Sequence, residues 1–460
     1  MNIDSIKSVY FIGAGGIGMS ALVRYFLSLG KAVAGYDRTA SELTERLNAE
    51  GASIHYEDNV ALIPENCKDK EHTLIVYTPA VPQSHSEFTW FREQGFEIQK
   101  RAQVLGTITR SRKGLCVAGT HGKTTTSSMA AHLIYNSHIE ATAFLGGISQ
   151  NYGTNLLLSD KSDYVVIEAD EYDRSFHQLS PYITAITSTD PDHLDIYGTP
   201  EAYWESFEKY TSLIQPDGAL IIHEGLEITP RVQEGVRIYS YSREKGDFHA
   251  QNIRIGNGEI IFDFIHPGGT IKDIQLGVPL SVNIDNGIAA MAIAWLCGVN
   301  EEELRENMSS FRGVERRFDF KLKTDSKVYL SDYAHHPAEI RQSARSIREL
   351  YAGRKITVIF QPHLYSRTQD FYREFAESLS FFDEVILTNI YPAREEPIPG
   401  VTSELIYDHL APQVEKLLID KDEVPSFVEA KKSEIEILVT LGAGDIEDFA
   451  AQITNILKEA

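Results

Sequence analysis

Short apolar runs alternate with amphipathic stretches along the whole chain, the rhythm of strands followed by helices. In residues 1–108 the predicted strands are Ser8–Ile12, Lys31–Gly35, Thr73–Thr78 and Glu97–Lys100, with helices between them. That pattern makes an open parallel α/β unit. The polar Ser111-Arg112-Lys113-Gly114 reads as a hinge. A second series starts with a strand at Leu115–Ala118, a glycine-containing turn and a helix over Thr124–Asn136. Tyr164–Ile167, Ile183–Ser188 and Ala219–Ile222 supply further strands. From Asp247 to Pro279 the runs shorten and turn residues cluster at Gly256-Asn257-Gly258 and Pro267-Gly268-Gly269, which predicts a small antiparallel addition. A helix around Asn286–Leu296 follows. Beyond a boundary near Phe311-Arg312-Gly313 the rhythm resumes, with strands at Val328–Leu330, Ile356–Phe360, Val385–Leu387 and Ile437–Leu441. The predicted fold class is α/β, with three consecutive α/β domains at 1–108, 109–312 and 313–460.

Composition narrows the ligands. The 460 residues are 42% hydrophobic and 24% charged, values of a soluble globular protein too long for a single core. A formal charge of −23 argues against a nucleic-acid surface, which needs clustered Lys and Arg. Anionic ligands must then be held by local devices: helix N-termini, glycine turns, single cations or metal ions. The three cysteines, Cys67, Cys116 and Cys297, are widely spaced among apolar neighbours and read as small buried hydrophobes. No apolar run reaches membrane-spanning length. A cytoplasmic protein, monomer or homodimer, is expected.

Two glycine turns carry the chemistry. Gly13-Ala14-Gly15-Gly16-Ile17-Gly18 lies between a predicted strand and helix, and Asp37 ends the next strand, as in a nicotinamide-dependent dehydrogenase. An NAD-dependent oxidoreductase is therefore one reading. The second turn, Gly119-Thr120-His121-Gly122-Lys123-Thr124-Thr125, also joins a strand to a helix, although Val117 stands where a phosphate loop usually has its first glycine. Its backbone N–H groups can cradle phosphates, Lys123 can reach the β and γ phosphates of ATP, and the Thr124 hydroxyl can ligate Mg²⁺. A redox enzyme needs no such lysine. Glu168 ends an apolar strand beside this loop, where Mg²⁺ is held in phosphate-loop enzymes. His193, in Asp190-Pro191-Asp192-His193-Leu194-Asp195, could complete a second metal site. Asp170, Glu171, Asp192 and Asp195 read equally as solvated surface.

Gly119–Thr126, Glu168-Ala169-Asp170-Glu171 and Asp192-His193 resemble the Mur ligases, ATP-dependent amide-forming enzymes of peptidoglycan precursor synthesis. So do Gly313-Val314-Glu315-Arg316-Arg317-Phe318-Asp319, Asp332–Pro337, Phe360–Thr368 and Tyr391–Gly400. The resemblance implies a Rossmann-like domain for a UDP-sugar, a central phosphate-loop domain for ATP, and a Rossmann-like C-terminal domain for an amino acid. The last three motifs imply joining of L-alanine to the lactyl carboxylate of UDP-N-acetylmuramate through an acyl phosphate, with ATP and Mg²⁺. It further implies that Gly13, Gly15, Gly16 and Gly18 pack against the UDP pyrophosphate, that Asp37 faces the uridine end, and that Thr78 and Arg101 line the same pocket. Arg101 reads as well as a surface cation. Lys123, Glu168 and His193 would be catalytic, with one Mg²⁺ on Thr124 and Glu168 and another on Glu168 and His193. Arg317 would approach the ATP phosphates, Asp332 the ribose, and Asn283 and Asn286 the adenine, although the two asparagines also read as helix-start residues. Tyr333, His335, His363 and Arg367 would surround the alanine, while His336 before Pro337 reads as a helix cap. Three departures stand out: Leu364 and Val282 replace the Arg and His common in the family, and Tyr172 follows Glu171. A related ligase that recycles murein tripeptides shares Glu-Tyr-Asp but lacks the Gln-Pro-His…Arg-Thr stretch.

Overall fold

The run Ser8–Ile12 is buried at every position, as a central strand of a sheet covered on both faces must be. In the computed structural model, which describes residues 3–315, 318–393 and 395–459, it is β1. With β2 (Ala32–Tyr36), β3 (Ser53–His55), β4 (Thr73–Tyr77) and β5 (Glu97–Lys100) it forms a parallel sheet in the order β3-β2-β1-β4-β5. A seven-stranded sheet follows, from β6 (Lys113–Ala118), β7 (Thr142–Ser149), β8 (Thr154–Leu157), β9 (Tyr164–Glu168), β10 (Pro181–Ile186), β11 (Ala219–His223) and β12 (Arg237–Tyr241). Its order is β12-β11-β10-β6-β9-β7-β8, with β8 antiparallel to β7. β13 (His249–Gly256), β14 (Glu259–His266) and β15 (Gly269–Gln275) form a three-stranded sheet where the small addition was expected. Asn257 and Gly258 join the first two of these strands with φ of 53° and 73°, the left-handed pair that a two-residue hairpin turn requires.

The remaining sheet has β16 (Asp319–Lys323), β17 (Val328–Asp332), β18 (Ile356–Phe360), β19 (Glu384–Leu387), β20 (Glu415–Leu418) and β21 (Ile437–Leu441) in the order β16-β17-β21-β18-β19-β20. Only its edge strand β16 pairs antiparallel. The fold is thus α/β. The chain divides into two compact units, one of residues up to Asn252 with Phe262–Ile274 and Val282–Phe311, the other of Ile253–Ile261, Gln275–Ser281 and residues from Arg312 onward.

Within the first unit the five- and seven-stranded sheets share one core. Phe11 and Val9 on β1, Phe26 on the helix Ile17–Ser28, and Phe144, Val165 and Ile167 belong to one apolar cluster. The rings of Tyr25 and Phe144 meet edge to face at 5.2 Å. The helix Lys123–Tyr135 is buried almost all round, packed on β7, β9 and the helices Val282–Leu296 and Glu301–Ser310. Cys67, Cys116 and Cys297 are free and buried, as read. Among the described residues no helix is long and apolar enough to cross a membrane.

Several expectations are corrected. The expected hinge at Ser111–Gly114 is no loop: Ser111 closes the helix Arg101–Ser111, and Lys113 already opens β6. Its polarity is that of a sheet rim, where Arg112 donates to the Thr142 hydroxyl at 3.2 Å. The strand expected over Ile183–Ser188 ends at Ile186, because Thr187 and Ser188 turn away to hold the neighbouring loop. The helix expected from Asn286 starts at Val282 and takes in Asn283, whose polar side chain is buried. Strands β3, β12, β16 and β20 carry no apolar run, being short or half-polar edge strands.

Gly106 marks where helix Arg101–Ser111 meets the backbone of Gln178: a Cβ there would lie 2.1 Å from the Gln178 carbonyl oxygen. Gly106→Ala is expected to destabilise the first unit by about 1–3 kcal/mol through overpacking. Urea unfolding followed by circular dichroism measures it.

Candidate active site

Strands β6, β9 and β10 end together at one edge of the seven-stranded sheet. Val117 on β6 pairs with Glu168 on β9, and Ala118 with Ile186 on β10. The loop 119–122 leaves β6 between these neighbours and is tied to the residues after β10. Thr187 Oγ1 donates to the His121 carbonyl at 2.5 Å, Ser188 Oγ accepts from the His121 N–H at 2.8 Å, and Thr120 Oγ1 donates to the Asp190 carbonyl at 2.7 Å. Thr187 and Ser188 are loop-holders that the sequence reading missed; two polar residues closing an apolar strand were the available signal.

Gly122, at φ 81°, caps the helix that begins at Lys123. A Cβ on it would stand 2.6 Å from Asn286 Oδ1. Asn286 accepts from the Thr126 hydroxyl at 3.2 Å and donates to Asn283 Oδ1 at 3.0 Å. Both asparagines are buried supports of the loop helix.

Lys123 Nζ is folded back. It donates to the Gly119 and Thr120 carbonyls at 2.6 and 3.2 Å and pairs with Glu171, 2.8 Å from Oε2. Glu171 is buried, which pushes its carboxyl up while the Lys123 charge opposes the shift. It is the loop lysine's counterion, not a solvated acid. Thr124 is buried too, and its hydroxyl faces Glu168 across Gly146. A Cβ on Gly146 would lie 2.0 Å from Glu168 Oε2 and 3.2 Å from Thr124 Oγ1. Glu168 Oε2 is buried without a hydrogen-bond partner. A hydroxyl and an orphaned carboxylate oxygen that both lie against Gly146 are donors of the kind a hard divalent cation takes. His193 has its Nε2 3.9 Å from Glu171 and 3.7 Å from Asp192, with its ring edge-on to Tyr172 at 5.1 Å. Among the described residues no three His, Cys, Asp or Glu side chains form a ready metal cluster.

Glu168 also faces a cavity of about 340 Å³, lined by Thr78 and Arg101 from the first sheet's edge and by Asp170, Tyr172 and Asp173. Arg101 is no surface cation. Its Nε donates to the Gly18 carbonyl at 3.1 Å, and a Cβ on Gly18 would strike the guanidinium at 2.5 Å. In the first glycine turn, Gly16 caps the helix Ile17–Ser28 without a side-chain hydrogen bond to its first amides. Asp37 accepts from the Gly15 N–H at 2.7 Å and from Thr39 N at 3.2 Å, so its carboxylate braces the turn.

In the second unit, Tyr333, His335, His363 and Arg367 come together as expected of neighbours. The ring of His335 lies 5.3 Å from Tyr333 and 6.1 Å from His363, and Arg367 is 3.3 Å from His363 Nδ1. Tyr391, which opens the Tyr391–Gly400 motif but was given no role from sequence, stacks on His363 at 5.7 Å. Burial, Arg367 and His335 all push His363 below the usual imidazole range, so it is neutral near pH 7. Asp332 accepts from the Ser343 hydroxyl and from Phe318 N, and burial raises its carboxyl. His336 caps the helix Pro337–Leu350, the reading left open for it. Arg317 lies outside the described residues.

Three stretches of the chain match known domains: residues 8–113 the Mur ligase family catalytic domain, 117–294 the Mur ligase middle domain, and 316–446 the Mur ligase glutamate ligase domain. The chain belongs to the Mur ligase family. Within the family it is 66% identical over 459 residues to the UDP-N-acetylmuramate–L-alanine ligase of Phocaeicola vulgatus, covering 100% of both chains. It is 51% identical over 455 residues to the same-named ligase of Porphyromonas gingivalis, covering 98% of this chain and 99% of the relative. Its structure superposes on the UDP-N-acetylmuramate–alanine ligase of Thermotoga maritima with a TM-score of 0.80 at 27% identity, over 98% and 99% of the two chains. A murein peptide ligase of Psychrobacter arcticus, at 20% identity and a TM-score of 0.64 over 99% of each chain, shares the fold. These Mur ligase relatives join substrates and leave the dehydrogenase reading without support.

Gly146→Ala would push Glu168 off its position beside Thr124. The expected result is an about 10–100-fold loss of Mn²⁺ affinity, read by electron paramagnetic resonance, with little change in melting temperature.

Proposed function

We propose that the protein joins L-alanine to the lactyl carboxylate of UDP-N-acetylmuramate, converting ATP to ADP and phosphate, in the cytoplasm as a monomer or homodimer. One observation supports this above others: Glu168 faces Thr124 of the phosphate loop on one side and the cavity lined by Thr78 and Arg101 on the other. A γ-phosphate on the loop and a carboxylate in the cavity would meet at that residue. The proposed division of labour follows: 1–108 for the UDP-sugar, 109–312 for ATP, and 313–460 for the amino acid.

The lactyl carboxylate oxygen attacks the γ-phosphorus, and ADP leaves; the alanine amine then attacks the acyl carbon, phosphate leaves, and the amine gives up its proton. The first step brings two anions together, so stabilising charge dominates catalysis. Lys123 would exchange Glu171 and the loop carbonyls for phosphate oxygens. Arg101 would hold the acceptor against Glu168 and Asp170, whose charges it already faces. Mg²⁺ held by Thr124 and Glu168 would supply Lewis-acid charge where the carboxylate and phosphate meet. His193 is assigned to the same region through Glu171. In the other unit, Arg367 would take the alanine carboxylate as a bidentate partner, beside neutral His363 and with His335 and Tyr333 around it.

The test is release of phosphate with Mg-ATP, UDP-N-acetylmuramate and each candidate amino acid. Turnover is expected with L-alanine; turnover with a murein tripeptide but not alanine would move the assignment to the recycling ligase. Lys123→Ala is expected to cut ligation by about 10³-fold or more, while calorimetry without nucleotide shows UDP-sugar binding retained within about tenfold. Equal loss of both would refute the division between sites.

A further inference from the structure

The segment that carries Glu171 reaches both halves of the site. Its first residue holds Lys123 at 2.8 Å, and its backbone carbonyl accepts from the Tyr197 hydroxyl at 2.5 Å. Two residues on, Asp173 pairs with Lys100 at 2.7 Å, and Tyr172, Asp173 and Ser175 line the cavity beyond Glu168. Between these anchors, Asp173 and Arg174 both take left-handed conformations, φ 52° and 55°. Side chains other than glycine adopt two such conformations in a row only where surrounding contacts impose them. The guanidinium of Arg174 over the Tyr197 ring at 4.6 Å is one such contact. The turn is thus clamped by a lysine of the phosphate loop at one end and a lysine of the first sheet at the other.

We propose that Glu171 is a positioning residue that couples the phosphate loop to the acceptor cavity. The proposal rests on the function read above. Nucleotide phosphates that draw Lys123 away leave a buried carboxylate without its cation, a state a folded protein relieves by moving the group or its neighbours. Glu171 is continuous with the cavity wall, so the relief is transmitted to Tyr172 and Asp173. Because coupling between two sites is reciprocal, an acceptor that re-seats the wall also alters the hold on Lys123. A glutamine at position 171 keeps the shape but has no charge to strand, and it disconnects the sites.

Calorimetry tests this by measuring UDP-N-acetylmuramate binding with and without a non-hydrolysable Mg-ATP analogue, in the unaltered protein, Glu171→Gln and Asp173→Asn. The analogue is expected to change the unaltered protein's dissociation constant about fivefold or more. That ratio should fall to about one in Glu171→Gln and shrink in Asp173→Asn, which loosens the far anchor. A ratio equally large in Glu171→Gln, or a ratio of one in the unaltered protein, overturns the proposal. A lowered melting temperature with an unchanged ratio shows a merely structural glutamate and overturns it as well. Failure of the unaltered protein to bind either ligand refutes the functional reading itself, a separate outcome.

Discussion

The parallel register between β6 and β9 sets Val117 opposite Glu168, and the rest of the site depends on that pairing. Two residues beyond it the chain leaving β6 opens into the loop 119–122, and on β9 Glu168 is itself the first residue of the acidic segment 168–171. A slip of a single position would turn Glu168 to the other face of the sheet and bury it among apolar side chains. The apolar neighbours of these strands, packed without exposure, fix the register. The core is therefore what aims the carboxylate. It also explains why Gly146 has no side chain, since β7, next in the sheet, passes where Thr124 and Glu168 converge.

Electrostatics then follows from placement. A chain with 66 acidic and 43 basic residues has no general affinity for polyanions. In the proposed function, attraction is concentrated at a few points: the amide edges of two helix N-termini, Lys123 and Arg101, and a divalent ion beside Glu168. The lysine's partner is an acid whose chain neighbours Asp170 and Tyr172 line the cavity beside Glu168. The loop thus keeps its cation neutralised by a buried carboxylate.

Much of this was legible in sequence because central parallel strands are continuous apolar runs and glycine turns follow them at fixed places. β1, β6, β9, β18 and β21 were found that way, and so were both phosphate-type turns. The cluster of Tyr333, His335, His363 and Arg367 came from family motifs, since no spacing along the chain would have joined residues on β17's exit to those on β18's. What sequence did not show is long-range and polar. Edge strands such as β16, Asp-Phe-Lys-Leu-Lys, alternate like any exposed segment. That the Asp37 carboxylate accepts from the Gly15 amide could not be read from the sequence. Glu171 looks like surface until Lys123 is found on it. Asn286 could only be recognised as a support of the loop once the helix carrying it was seen against Gly122.

The most direct test of the central claim is the anomalous scattering of manganese in crystals grown with a non-hydrolysable ATP analogue and UDP-N-acetylmuramate. The account predicts an ion bonded to both Thr124 Oγ1 and Glu168 Oε2, with the γ-phosphate on Lys123 and the lactyl carboxylate on the cavity side of Glu168. Manganese away from Glu168, or the triphosphate seated on the Gly13–Gly18 turn, would contradict it.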